Sequence, residues 1–310
     1  MNVLLIAGGL VLLIAGGNWL LKAAVSFSLK LEIPKIVIGM TVVSFATSAP
    51  ELIVSLKSAL SGHPDISLGN VIGSNIANLG FVLGIVIMVS TIKVEKSFYI
   101  QDWPVMMLAS LMLWLFMTTG LMIERWEGLV MLSMLIVFLV YLLMFQKTAV
   151  VDEMPEDDVA LPIGKSMMYL IIGGLGLWGG SELLIEGAVN MAYNLGVSKR
   201  IIGITIISVG TSIPELAASI IAVAKKEKAI SLGNILGSNV FNILAVLGIT
   251  SIVSPIPVED KDLLAVDIPW MIYFALLVFI LVFAPSRMRL SWREGLILMG
   301  SYIIFIALLV

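Results

Sequence analysis

Ser44-Phe45-Ala46-Thr47-Ser48-Ala49-Pro50-Glu51 returns at Ser208-Val209-Gly210-Thr211-Ser212-Ile213-Pro214-Glu215. Downstream, ISLGNVIGSNIANLGFVLGI at 66–85 returns as ISLGNILGSNVFNILAVLGI at 230–249. The offset is a constant 164 residues without a gap, and 26 of the 55 positions from Ile38 to Ile92 are identical in Ile202 to Ile256. Apolar identities could follow from composition alone. Shared Pro, Glu, Asn and Ser positions could not, so the chain carries an internal duplication.

The surroundings of the repeat set its solvent. Of 310 residues, 60% are hydrophobic and 13% charged, with a mean hydropathy of +1.10, against about 45–50% and about 25% in soluble domains. The apolar residues come in blocks long enough to cross a hydrocarbon core of about 30 Å. Spans are expected near 2–22, 34–60, 66–90, 104–120, 127–145, 166–193, 200–224, 230–254, 264–284 and 292–309. The first is expected to be retained, because no basic residue precedes Lys22 and nine more apolar blocks follow where a signal peptide would lead into a soluble domain. The expected fold is all-α: a polytopic membrane protein of ten helices. Residues 1–145 form one five-helix half and 166–310 the other, joined by an acidic linker at 146–165. Five is odd, so the second copy enters the membrane with opposite polarity, and the halves are inverted repeats. Such repeats mark secondary transporters, with sites at mid-membrane on broken helices. Pro50 and Pro214 supply the expected breaks.

With the N-terminus outside, 13 Lys and Arg fall in cytoplasmic segments and 4 (Arg125, Lys199, Arg200, Lys261) in external ones. The positive-inside rule therefore places the chain in the cell membrane with both termini extracellular. The run Asp152-Glu153-Met154-Pro155-Glu156-Asp157-Asp158 reads as a solvated linker and lacks the spacing of a calcium loop. The formal charge of −3 gives no basic face for nucleic acid. With no Cys and one His, His63, thiolate sites and multi-imidazole zinc or copper sites are excluded. Oxygen ligands remain.

Those oxygens fall at one depth. Glu51 lies ten residues before the loop at Ser61 and Glu215 ten before Lys225, so each sits about 15 Å from its own surface, and the two surfaces are opposite. Ser74 and Asn78 share a helix face, and Ser238 and Asn242 repeat them from the other side. Thr47 and Thr211 stand four residues before the glutamates. One Ser, Thr or Asn in a membrane helix reads as interhelical glue. A mid-membrane glutamate costs at least about 2.5–3.5 kcal/mol, and two of them with duplicated polar neighbours read as an ion pathway. The all-oxygen set suits Ca²⁺, which takes 6–8 oxygens, and could also hold several Na⁺.

At these residues the chain resembles the cation/calcium antiporter superfamily, specifically the prokaryotic sodium/calcium exchangers. The motifs that carry the likeness are Ala46-Thr47-Ser48-Ala49-Pro50-Glu51 with Gly69-Asn70 through Asn78, and Gly210-Thr211-Ser212-Ile213-Pro214-Glu215 with Gly233-Asn234 through Asn242. The resemblance implies a calcium site from Glu51, Glu215, Thr47 and Thr211, with main-chain oxygens near Ser44 and Ser208. It implies sodium sites using Ser74 and Ser238 with Ser48 and Ser212 nearby, and a middle position lined by Asn78 and Asn242. It implies alternating access by sliding of the first and sixth spans, whose Gly16-Gly17 and Gly179-Gly180 faces would pack with low friction. Relatives with an acid at Asn242 are associated with potassium transport, so Asn242 points away from potassium.

The expected function is antiport of Na⁺ against Ca²⁺, three for one and independent of K⁺, by a monomer without cofactor. H⁺/Ca²⁺ antiport on the same glutamates is the alternative. A channel is disfavoured by two-fold inverted halves. An intramembrane enzyme is disfavoured because no His, Cys or Lys joins the glutamates at their depth. Glu182 and Glu186, the repeat counterparts of Asn18 and Lys22, are read as a polar stripe near the cytoplasmic mouth.

Overall fold

The computed structural model describes residues 2–64, 66–145, 160–195, 208–284 and 288–309. Most of the expected linker, the start of the expected seventh span and the first residues of the second repeat copy, up to Ile207, lie outside the described residues. The helices are α1 (Asn2–Leu31), α2 (Lys35–Thr47), α3 (Ala49–Leu60), α4 (Ile66–Val89), α5 (Phe98–Gly120), α6 (Arg125–Met144), α7 (Ile163–Asn194), α8 (Ile213–Ala224), α9 (Lys228–Val253), α10 (Leu263–Phe283) and α11 (Trp292–Leu309). Among the described residues, 8 helices are long and apolar enough to cross a membrane, or 9 when α2 and α3 count as one broken span.

The all-α expectation needs one addition. Two short antiparallel sheets are present: β1 (Ile92–Lys93) pairs with β4 (Arg289–Leu290), and β2 (Met122–Ile123) with β3 (Ile256–Pro257). Each ties two interhelical loops, so their backbone groups are satisfied by each other.

The helix bounds differ from expectation mainly at the end of α1 and the start of α5; α1 and α7 are the longest helices, at 30 and 32 residues. At 1.5 Å per residue each exceeds a core of about 30 Å, so each tilts or protrudes. α1 ends where Glu32 turns left-handed (φ 53) before Pro34, which has no N–H to continue the helix. α4, α7 and α9 run without a break, though α4 and α9 contain π-helical segments at Asn78–Val82 and Asn242–Leu247. A third such segment, Gly39–Val43, interrupts α2.

The described chain forms two compact units, each drawing on both sequence halves: Met1–Thr47, Leu142–Asn234 and Leu308–Val310 in one, Ser48–Tyr141 and Ile235–Ala307 in the other. In the first unit α1 and α7 pack antiparallel along their length. A Cβ on Gly16 would lie 2.7 Å from Leu177 N, one on Gly173 2.6 Å from Leu20 N, and one on Gly180 2.8 Å from Leu13 N. Glycine is what lets these backbones touch. Gly179, expected on this face, has open space instead, because it is turned away from the seam that Gly173, Gly176 and Gly180 share. Gly187 meets Asn2 and Ile6, so Glu186 lies at the end of the pair opposite Lys22. Under the expected orientation, with the N-terminus outside, that end would be external, so the cytoplasmic placement expected for Glu182 and Glu186 does not fit it.

In the second unit the contacts come in duplicate. Gly84 abuts Gly295, and Gly248, its counterpart at the 164-residue offset, abuts Gly128. The β1–β4 and β3–β2 sheets are a further such pair.

Candidate functional site

In the first unit, α2 and the start of α9 cross in backbone contact. A Cβ on Gly39 would lie 2.5 Å from Ile230 O, and one on Gly233 would collide with Ile36 O. That closeness brings Ser44 and Thr47 to Asn234. The Asn234 Oδ1 accepts a hydrogen bond from Thr47 Oγ1 at 3.1 Å, and its Nδ2 donates to Ser219 Oγ at 3.0 Å and to Glu215 O at 3.4 Å. Ser44 Oγ lies 2.8 Å from Gly39 O and 2.9 Å from Asn234 O, either of which can accept its one proton. One buried amide thus links Thr47 to the turn that carries Glu215.

In the second unit the repeat makes the same join. Asn70 Nδ2 donates to Ser55 Oγ at 3.2 Å and to Glu51 O at 3.4 Å. Deeper along α4 and α9, Asn75 Nδ2 donates to Asn239 O at 3.2 Å, and Asn242 Nδ2 donates to Asn75 Oδ1 at 3.1 Å. The mirror bond, from Asn78 to Asn239, is not made. Asn239 Nδ2 turns to Ile235 O at 2.7 Å, and both polar atoms of Asn78 are buried with no partner among the described residues. Asn78 and Asn242 each open a π-helical segment, a distortion frequent at functional sites.

Glu51 and Glu215 stand in the first turns of α3 and α8, where the helix dipole favours negative charge. Ser48-x-x-Glu51 and Ser212-x-x-Glu215 are capping-box sequences, yet neither helix has a side-chain cap bond. The Ser48 and Ser212 hydroxyls are instead buried, with no hydrogen-bond partner among the described residues. Buried polar groups are nearly always satisfied, so the leftover hydroxyl in each copy of the motif is a candidate ligand oxygen.

Of the expected site residues, Ser44, Thr47, Ser48, Glu51, Ser74, Asn78, Ser212, Glu215, Ser238 and Asn242 are buried. Thr211 is half-buried, and the Ser208 side chain lies outside the described residues. The first unit brings Ser44, Thr47 and the Glu215 turn together around Asn234. The second joins Glu51 to α4 through Asn70 and sets Asn242 against Asn75. Among the described residues no three acidic or imidazole side chains cluster, so a cation held here relies on hydroxyl, amide and carbonyl oxygens as well as on carboxylate. Asn70, Asn234, Ser55, Ser219, Asn75 and Asn239 were given no role from sequence. Their signal was available, since all are identical between the two copies.

The family described as sodium/calcium exchanger protein matches residues 1–144 and 165–310, both halves of the chain. The chain belongs to the sodium/calcium exchanger family. Family members similar to it include a putative antiporter, CaxA, of Alkalimonas amylolytica, 36% identical over 95% of this chain and 94% of the relative. The sodium/calcium exchanger MaX1 of Methanosarcina acetivorans is 27% identical over 100% of this chain and 98% of its own. The solved sodium/calcium exchanger from Methanococcus jannaschii superposes with a TM-score of 0.81 at 28% identity, covering 99% of this chain and 97% of that one. The family match leaves out 145–164, most of which is the acidic linker. This family member is therefore a transporter and not an enzyme.

Proposed function

We propose that this chain exchanges Na⁺ for Ca²⁺ across the cell membrane by alternating access, three Na⁺ for one Ca²⁺ and without K⁺. It does so as a monomer of ten spans in two inverted repeats, 1–145 and 166–310, with both termini outside. Calcium is bound by Glu51, Glu215, Thr47 and Thr211 with main-chain oxygens near Ser44 and Ser208. Sodium uses Ser74, Ser238, Ser48 and Ser212, and Asn78 and Asn242 line the middle position.

The observation that carries this reading is the pair of uncapped, buried hydroxyls at Ser48 and Ser212, each three residues before its glutamate. Cations of this kind take all-oxygen sites, and a buried hydroxyl in the turn before each glutamate supplies an oxygen that no protein donor has claimed, as the sodium positions assigned to Ser48 and Ser212 require. Family membership and the matching Asn70 and Asn234 joins support the same assignment. Two carboxylates balance one Ca²⁺ or two Na⁺, so a third Na⁺ leaves +1 on the loaded protein. An inside-negative potential then drives sodium inward with about 2.3 kcal/mol per charge per 100 mV.

The test is calcium flux in proteoliposomes. A Na⁺ gradient should drive ⁴⁵Ca²⁺ uptake where a pH gradient does not, and uptake should respond to clamped potential and ignore K⁺. Glu51→Gln and Glu215→Gln should each abolish it in folded protein. Uptake driven by the pH gradient alone would transfer the site to H⁺/Ca²⁺ antiport.

A further inference from the structure

The first unit holds a cavity of about 560 Å³ whose lining includes none of the residues assigned to exchange. It opens between the C-terminal half of α1, the start of α7 and the turn after α8. Lys22, Lys165 and Lys225 line it, together with Tyr169, Leu21 and Leu161. Its one carboxylate, Glu227, is held by Lys35 at 2.8 Å. None of the three lining lysines forms an ion pair with a described residue, and Lys165 lies over the Tyr169 ring, 5.6 Å from its centroid. A cation pathway would not collect three positive charges here.

Local structure accounts for only one of them. Lys225 ends α8, where the helix dipole welcomes a cation. Lys165 stands in the first turn of α7, where the dipole opposes one. Lys22 lies well inside α1. At the 164-residue offset, the counterparts of Lys22 and Lys225 are Glu186 and Ser61, so the shared scaffold does not demand lysine. The turn after α8 is a Schellman turn, with Glu227 N donating to Ala222 O at 2.8 Å and Lys226 N to Val223 O at 3.0 Å. Its left-handed residue is Lys226 (φ 66), where the first copy has Gly62 (φ 86). Glycine is the residue that adopts this conformation freely, yet lysine extends the charge run here.

We infer that this cavity binds the headgroup of an anionic phospholipid. The lysines meet the phosphate as point charges. Leu21 and Leu161 offer apolar wall beside them, and the neighbouring faces of α1 and α7 are exposed and apolar, with Leu12, Ile14, Met167, Met168 and Ile171 outward. A headgroup seated there bridges α1, α7 and the turn after α8. A lysine near an anionic headgroup strengthens binding roughly fivefold, so three give a preference for anionic over zwitterionic lipid of roughly a hundredfold.

The experiment measures retention of phosphatidylglycerol and of phosphatidylcholine with the same acyl chains by the full, delipidated protein in detergent, by native mass spectrometry. Wild type should retain the anionic lipid at least tenfold better, and high salt should erase the difference. K22Q/K165Q/K225Q should lose the preference, whereas K22R/K165R/K225R and K93Q/R289Q, whose residues belong to the other unit, should keep it. Should the triple glutamine variant not fold, the wild-type lipid comparison and its salt dependence decide. Equal retention of the two lipids, or an unchanged preference in folded K22Q/K165Q/K225Q, would overturn the inference. Displacement by inorganic phosphate as readily as by lipid would reassign the cavity to a soluble phosphate. Binding that emerges only after Asp152, Glu153, Glu156, Asp157 and Asp158 are changed to Asn or Gln would assign it to the chain's own acidic run.

Discussion

Asn234→Ala tests whether the join between Thr47 and the Glu215 turn matters. The wild-type amide makes two well-formed side-chain bonds, at 3.1 Å from Thr47 and at 3.0 Å to Ser219, and a longer one to Glu215 O at 3.4 Å. Each buried group left without its partner costs about 1–3 kcal/mol. Thr47 Oγ1 has a fallback, since it also reaches Ser44 O at 3.3 Å, while Ser219 is fully buried. The expected loss of stability is therefore about 2–4 kcal/mol. Asn70→Ala removes the corresponding bonds, at 3.2 and 3.4 Å, from a half-exposed residue, so water replaces part of the loss and about 1–2 kcal/mol is expected. Asn234→Asp keeps the acceptor for Thr47, loses the donors, and should fall between. Thermal unfolding in detergent reads the stability, and equilibrium ⁴⁵Ca²⁺ binding reads the site. Calcium affinity in folded Asn234→Ala should fall at least tenfold, because Thr47 and Glu215 lose their common anchor. The reasoning fails if Asn234→Ala keeps wild-type stability and affinity, or if Asn70→Ala proves the more damaging of the two.

Three further outcomes are expected. Asn242→Asp puts a negative oxygen against Asn75 Oδ1, which now accepts from Asn242 Nδ2 at 3.1 Å; cation affinity should rise and turnover slow, and an unchanged flux rate would remove Asn242 from the pathway. Gly173→Ala brings a Cβ to 2.6 Å from Leu20 N whereas Gly179→Ala meets nothing; overpacking costs about 1–3 kcal/mol, so only the first should lower the melting temperature and slow exchange. Protonation removes the charge of a carboxylate ligand, so calcium uptake at a fixed sodium gradient should fall from neutral pH toward about 4.3, the ordinary glutamate value; flat activity over that range would exclude proton competition.

Much of this was readable along the chain because the bilayer leaves few choices. Hydrocarbon forces backbone groups into helices, so the apolar blocks gave the long helices of the described residues with errors mainly at their ends, as in α1 and α5. The 164-residue repeat marked Glu51 and Glu215 with their Ser, Thr and Asn neighbours, since duplicated polar residues in lipid need a reason that apolar ones do not. Contacts between helices were another matter. Four glycines of α1 and α7 look alike in sequence, yet Gly16, Gly17 and Gly180 meet another backbone or side chain and Gly179 meets open space. The π-helical turns at Asn78 and Asn242 leave no local signature. Identical Ser-x-x-Glu stretches promised caps that the fold withholds. Asn75 and Asn239 are the same residue in the two copies, but one bridges to Asn242 and the other folds back on Ile235. A sequence repeat fixes which groups are present at each depth. The three-dimensional packing decides which of them are used up on one another and which stay available, because that depends on neighbours far away in the chain.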